Sequence, residues 1–387
     1  MDREFDIVIY GATGFTGQLV VEYMASACPD GVSWAIAGRS PEKLAQVRDA
    51  VGAPADLPLV IADAARPETL TTLAARARVV VSTVGPYQLY GSELIAACAQ
   101  AGTAYVDLCG EPLWMREMID AHEATAKRTG ARIVFSCGSD SIPFDLGVWT
   151  LQEAAKARFG IPAPRVKGRV RHMKGSASGG TVASLKATLA AITRDPKLGL
   201  LLASPFALTP GFKGPHQPTG LLPEYDGTIG CWVAPFIMAP INTKNVHRTN
   251  LLAGHPYGTD FVYDEMIVAP GLGDMGRVAA EALAKMNPLG GDKGPKPGEG
   301  PSRQERESGC YDLLFVGLMP DGTRLDAVVT GDRDPGYGST SRMIAEAALC
   351  LLLDVGGGGG IWTPGALMAT PLRRRLQAGA GLTFTAG

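Results

Sequence analysis

The sequence predicts an α/β protein: a doubly wound parallel sheet followed by an inserted α+β domain that contains an antiparallel sheet. Three observations predict it. A glycine-rich turn joins an N-terminal apolar run to an amphipathic stretch. Apolar runs then alternate with helical patterns until six strands are accounted for before residue 137. In the second half, two apolar-rich runs flank a Pro-Asp-Gly turn. At 387 residues and 46% hydrophobic content, the chain is long enough for two domains, or for one large domain with an insertion, and can fill a core.

Phe5–Tyr10 (FDIVIY) reads as a buried strand, and the helix after it carries Leu19, Val20, Tyr23 and Met24 on one face. Between them lie Gly11, Thr13, Gly14, Phe15, Thr16 and Gly17, spaced as G-x-x-G-x-x-G. Glycine lets a chain turn sharply and approach phosphates, and free N–H groups at a helix start face negative charge. A strand, a glycine turn and a helix in this order point to a dinucleotide pyrophosphate. The second strand, Val32–Gly38, ends on Arg39 and Ser40. An acid there bonds the ribose of NAD, whereas an arginine pairs with the 2′-phosphate of NADP, so Arg39 and Ser40 favour NADP(H), with Lys43 as a helper. A solvated loop cation is the plainer reading of Arg39.

The third strand, Leu57–Ala62, ends at Asp63, which either approaches the adenine edge or caps the helix that Pro67 begins. The fourth, Arg78–Thr83, runs into Val84-Gly85-Pro86-Tyr87. A loop at the carboxyl end of a central strand is where nicotinamide and substrate meet, which makes Thr83, Gly85 and Pro86 cofactor candidates and Tyr87 a candidate acid. Thr103–Leu108 and Arg132–Ser136 are the fifth and sixth strands. In residues 137–147 (CGSDSIPFDLG), Asp145 or Ser141 caps a helix Leu146–Phe159, while Asp140 and Ser141 face the same crevice. Asp140 is the second candidate for the catalytic acid.

Beyond Pro162 the pattern loosens. Val166–Met173 reads as a strand with an exposed basic face, and Val182–Thr193 as a helix. Residues 195–258 lack clear periodicity, and residues 287–301 read as a flexible loop. Tyr311–Leu318 and Arg324–Thr330 form the hairpin, and Ser341–Leu353 is an amphipathic helix that packs back on the core. The run Gly356–Gly360 reads as a connection, with no clean helix after it. The expected organisation is 1–147 for the nucleotide-binding domain, 148–335 for the substrate domain and 336–387 for a segment returning to the first domain.

A formal charge of −2 and no long basic run give no footprint for nucleic acid. Seven scattered cysteines without metal-ligand spacing fit buried thiols in a reducing compartment rather than a metal site or disulfide framework. No signal peptide pattern opens the sequence and no stretch of about 18 apolar residues spans a bilayer, so the expectation is a cytoplasmic protein. Peripheral contact with the inner face of the membrane and a homodimer both stay open.

Together these motifs resemble the saccharopine dehydrogenase-like oxidoreductases, and within them the actinobacterial trans-acting enoyl reductase group. The resemblance rests on residues 11–17 (GATGFTG), 37–40 (AGRS), 84–87 (VGPY), 105–111 (YVDLCGE), 137–147 (CGSDSIPFDLG), 178–181 (SGGT) and 362–364 (WTP). It implies a Rossmann domain, an inserted α+β domain, NADPH, and reduction of an acyl or polyketide-derived intermediate beside a polyketide synthase in cell-envelope lipid synthesis. The substrate would be a small or carrier-bound acyl group. Apolar residues within 198–238 suit an acyl chain, or are ordinary core. Two other readings stand beside this one. A saccharopine-type imine oxidoreductase would need a cationic clamp such as Arg169 or Arg171, and a non-catalytic NADP-binding protein would dock on a synthase or a lipid surface.

Overall fold

The computed structural model describes residues 3–175, 179–286 and 299–387. The first six strands, β1 (Phe5–Tyr10), β2 (Trp34–Gly38), β3 (Leu59–Ile61), β4 (Ala77–Ser82), β5 (Ala104–Asp107) and β6 (Arg132–Val134), lie parallel in one sheet. Its centre reads as continuous apolar sequence because both faces are covered. Ile7, Ile9, Val79 and Val81 enter the core on one side, and Val8, Tyr10 and Val80 enter the core on the other. This is the alternation a pleated strand imposes.

The next six strands build a second, mixed sheet: β7 (Arg165–Lys174), β8 (Glu224–Asp226), β9 (Cys231–Pro235), β10 (Val262–Val268), β11 (Cys310–Leu318) and β12 (Arg324–Gly331). β7 lies parallel to β10 and antiparallel to β11, and β11 and β12 form the hairpin read from Pro-Asp-Gly. The chain then returns to each sheet once. β13 (Gly360–Trp362) extends the first beside β6, and β14 (Leu382–Ala386) pairs with β12 in the second. The sheet orders are therefore β13-β6-β5-β4-β1-β2-β3 and β14-β12-β11-β7-β10-β9-β8. The first is a Rossmann sheet whose order reverses beside β1 and β4, the crevice where such folds bind ligands.

Two helices tie the sheets together. Ile142–Phe159 starts at the carboxyl end of the first sheet and packs on the second. At Gly147 a Cβ would sit 2.2 Å from the Phe315 ring, so only glycine lets the helix approach that closely. The expected boundary at 147/148 falls inside this helix. Thr340–Leu353 is buried along most of its length against the helix Phe15–Ala27 and strands β4 and β5.

Several expectations need correction. The basic face of β7 is not exposed over its first half. Arg169 is buried between Asp226 (2.7 Å) and Asp264 (2.8 Å), Lys167 reaches Asp226 at 2.9 Å, and Arg165 pairs with Asp264. Residues 195–258 are more regular than their composition suggests, with helices Lys197–Ala203 and Ala239–Leu252 besides β8 and β9. A helix does follow the glycine run, Pro364–Gly379, after β13 has begun at Gly360. Most of the expected loop 287–301, together with Ser178 of the SGGT motif, lies outside the described residues. No helix among the described residues is long and apolar enough to cross a membrane.

Candidate functional site

The glycine turn is built by steric necessity. Gly11 has φ +89°, and a Cβ on it would lie 2.7 Å from Thr83 Oγ1 and from a Val84 methyl. At Gly17 a Cβ would lie 2.1 Å from the Gly11 carbonyl oxygen, so the helix is pressed onto the turn. Gly14, exposed, precedes Phe15–Ala27 without a side-chain cap, and the first turn of that helix holds no acid. Its leading N–H groups are left for an anion. Thr83 closes the neighbouring edge by donating to the carbonyls of Tyr10 and Gly11, both at 3.2 Å. This cradle fits a dinucleotide pyrophosphate.

A cavity of about 250 Å³ opens at the carboxyl ends of the first sheet. It brings together Thr16, Thr83, Gly85, Tyr87, Asp140 and Ser141 from the residues singled out in the sequence. Opposite them stands an apolar wall of Leu185, Leu202, Ile237, Met238 and Ile241, supplied by the helices Gly179–Arg194, Lys197–Ala203 and Ala239–Leu252 and by the turn before the last. The remaining candidates lie outside this lining. Gly11, Thr13, Gly14 and Gly17 form the turn itself, and the Phe15 ring packs against Tyr337 at 4.8 Å. Pro86, joined to Gly85 by a cis peptide, precedes the short helix Tyr87–Tyr90.

At the edge of the sheet, Arg39 is exposed after β2. Ser40 caps the next helix by accepting from the Lys43 N–H at 3.2 Å and also donates to Glu42 at 2.7 Å. Asp63 accepts from the Ala65 N–H at 3.0 Å and so stabilises the turn before the helix Pro67–Arg76, whose cap position is Arg66.

The two candidate acids are placed differently. Tyr87 is buried, donates its hydroxyl proton to the Ser82 carbonyl at 3.1 Å and accepts from the Leu108 N–H at 3.0 Å. It clamps the ends of β4 and β5, and burial with Asp107 nearby pushes its ionisation well above the usual phenol range. That geometry argues against a free proton donor. Asp140 stands half-buried in the cavity wall, and its carboxyl makes no hydrogen bond among the described residues. The surrounding walls raise it to about 6, because burial disfavours the charged form.

Beside it, Ser141 stands at the N-cap position of Ile142–Phe159 but its side chain makes no capping bond. Its hydroxyl donates to Asn242 at 3.2 Å and accepts from Asn245 at 3.0 Å, and Asn242 donates to the buried Glu265 at 2.9 Å. Asp145 does not cap the helix either. It accepts from the Gly365 N–H at 2.7 Å, and burial raises it to about 7.

Sequence reasoning missed the helix Ala239–Leu252. Its buried residues include Asn242, Lys244, Asn245, His247, Arg248, Thr249 and Asn250, so no apolar stripe marks it. The readable signal was Pro240 at a helix start followed by a dense run of amides and cations. It also missed Glu111. That buried carboxylate accepts from the N–H groups of Tyr87 (2.8 Å) and Gln88 (2.9 Å) and from the Ser184 hydroxyl (2.7 Å). Glu111 thereby fixes the Val84–Gln88 loop against the helix that carries the apolar wall.

Residues 7–134 match the family model of the saccharopine dehydrogenase NADP binding domain. A Mycobacterium tuberculosis protein provisionally designated a trans-acting enoyl reductase is 42% identical over 409 residues, covering 99% of this chain and 97% of its own. The trans-acting enoyl reductase of Mycobacterium ulcerans is 37% identical over 420 residues, with 99% and 98% covered. Among solved structures, apo saccharopine dehydrogenase (L-Glu forming) from Saccharomyces cerevisiae is similar at TM-score 0.56 and 12% identity, over 99% of this chain and 100% of that one. Homospermidine synthase from Legionella pneumophila in complex with NAD is similar at TM-score 0.54 and 12% identity, over 99% and 92%. At such identities these two structures show a shared fold.

Proposed function

The chain belongs to the trans-acting enoyl reductase group of the saccharopine dehydrogenase-like family of NADP-dependent oxidoreductases, and from that premise we propose that it saturates the double bond of an α,β-unsaturated acyl thioester delivered by a separate synthase. When bound, NADPH supplies the hydride, which goes to the β-carbon. The turn Gly11–Gly17 holds the pyrophosphate, Arg39 and Ser40 favour the 2′-phosphate, and Thr83 and Gly85 flank the reacting end. The apolar wall holds the acyl chain and excludes water, and Asp140 gives a proton to the α-carbon. Glu111 and Tyr87 act as positioning residues. Synthesis of cell-envelope lipids beside a polyketide synthase is the setting we assign to this activity.

The observation that carries this reading is the composition of one cavity. A residue of the glycine-turn helix, a carboxyl with no hydrogen-bond partner among the described residues and a wall of aliphatic side chains line it together. The imine alternative has less support. Its clamp candidate Arg169 is buried among carboxylates, and Arg171 pairs with Asp312 at 2.6 Å, while neither lines the cavity. The test is NADPH oxidation by the purified chain with trans-2-enoyl thioesters of graded length and, separately, with a dicarboxylate imine. Enoyl-dependent oxidation with NADPH preferred over NADH is expected. Oxidation with the imine alone, or cofactor binding without turnover on any acceptor, would overturn the proposal.

A further inference from the structure

We infer that a second, arginine-lined pocket on the outer face of the glycine-turn helix binds a phosphate monoester. The pocket is about 150 Å³ and shares no lining residue with the first cavity. Its floor is the helix Phe15–Ala27, and its rim is the helix Arg303–Glu307 with the start of Thr340–Leu353. Four arginines, Arg303, Arg306, Arg333 and Arg342, meet only two carboxylates there, Glu22 and Glu307. Arg303 pairs with both of those acids. Among the described residues, Arg306 and Arg342 each make one side-chain hydrogen bond, and Arg333 pairs with Asp332.

Each is held in place by something other than an acid inside the pocket. Arg306 donates to the Pro301 carbonyl at 2.7 Å and lies over the Phe15 ring at 5.6 Å. Arg342 lies over the Tyr23 ring at 5.4 Å and reaches the Gly379 carbonyl at 3.5 Å. Arg333 forms an ion pair with Asp332 at 3.7 Å, too long for a hydrogen bond, and its buried Nε has no hydrogen-bond partner among the described residues. A buried N–H without a partner is costly and marks a place for a missing acceptor. Burial and then the neighbouring Arg333 make the Arg342 cation less favourable, and Tyr23, Asp332 and Glu307 offset this only in part, so a bound anion would relieve it further.

The class of ligand follows from charge, size and donor geometry. Planar guanidinium forks match the oxygens of a phosphate, and three cations suit a dianion better than a single carboxylate. The pocket has room for a phosphate and a small ester, and its opening lies outside the crevice of the first sheet.

The experiment is calorimetric titration of inorganic phosphate and, separately, glycerol phosphate into the full chain saturated with NADPH, which keeps phosphate out of the cofactor cradle. It needs no turnover, so its outcome is independent of whether enoyl reduction is the reaction. Binding of both probes is expected, with affinity reduced about ten-fold or more by Arg333→Gln and by Arg342→Gln. Thermal melting checks that each variant folds. If Arg342→Gln does not fold, Arg333→Gln is read alone, because that side chain is partly exposed. Absence of binding, equal affinity in a folded variant, or acetate bound as tightly as phosphate would overturn the site. Binding of inorganic phosphate but not of the ester would overturn the monoester assignment.

Discussion

Asp140 and Tyr87 line one cavity, and under the proposed mechanism their hydrogen bonds divide the work of acid and scaffold between them. The Asp140 carboxyl, without a hydrogen-bond partner among the described residues, is raised to about 6, and a donor must be protonated to act, so the proposed role predicts kcat/KM high below that pH and lost above it. Asp140→Asn should flatten that limb and lower turnover by roughly 100-fold while NADPH affinity is kept; a steady-state pH profile reads both. Tyr87→Phe should leave turnover within about three-fold but cost about 1–2 kcal/mol of stability, because the Leu108 N–H loses its acceptor. Urea denaturation beside the same assay checks it. Both residues were legible as lying past strand ends. Which of them has its polar group tied up was not, since that depends on the Ser82 and Leu108 backbone groups brought to Tyr87 by the sheet.

The helix Ala239–Leu252 shows why the second half of the chain was harder to read. Binary patterning identifies an element by what it hides from water, and this helix hides polar side chains. They are satisfied by segments distant in sequence. Arg248 reaches the Leu208 carbonyl at 2.8 Å and Glu123 at 3.3 Å, and Asn250 reaches the Gly258 carbonyl at 2.8 Å. Truncating one member of such a buried pair leaves the other uncompensated. Arg248→Ala should therefore destabilise the protein by about 3 kcal/mol or more, measured by denaturant unfolding. The β11–β12 hairpin was readable for the opposite reason, because its turn chemistry is local. The same contrast separates the glycine spacing, marked locally by the Gly17 approach to Gly11, from the basic residues of β7, whose partners Asp226 and Asp264 lie far along the chain.

Across the whole molecule, the parallel sheet was legible almost strand by strand, whereas the way two sheets share one chain was not. The helix Ile142–Phe159 crosses from one sheet to the other, and the last two strands return to different sheets. Burying carboxyls along that junction has a cost that depends on pH. Burial raises Asp107 and Asp145 to about 7. Between about pH 4 and 7 the folded state then holds protons that the unfolded chain releases, so stability falls as pH rises, by roughly 1.4 kcal/mol per pH unit for each group. Asp226 acts in the other direction. Burial opposes it, yet bonds from Thr228 and Lys167 and the Arg169 charge hold it well below the usual carboxylate range, so its contribution is present at neutral pH and lost only on acidification below about 4. Urea unfolding as a function of pH should show the decline towards neutrality, and Asp145→Asn should reduce its slope.

The most direct test is the fate of solvent deuterium. The chain is incubated in heavy water with NADPH and a trans-2-enoyl thioester, and the product is read by mass spectrometry and NMR. Enoyl reduction with Asp140 as the acid predicts a saturated thioester with one deuteron on the α-carbon and none on the β-carbon, and slow formation of that product by Asp140→Asn. Unreacted enoyl thioester, or deuterium on the β-carbon, would contradict it.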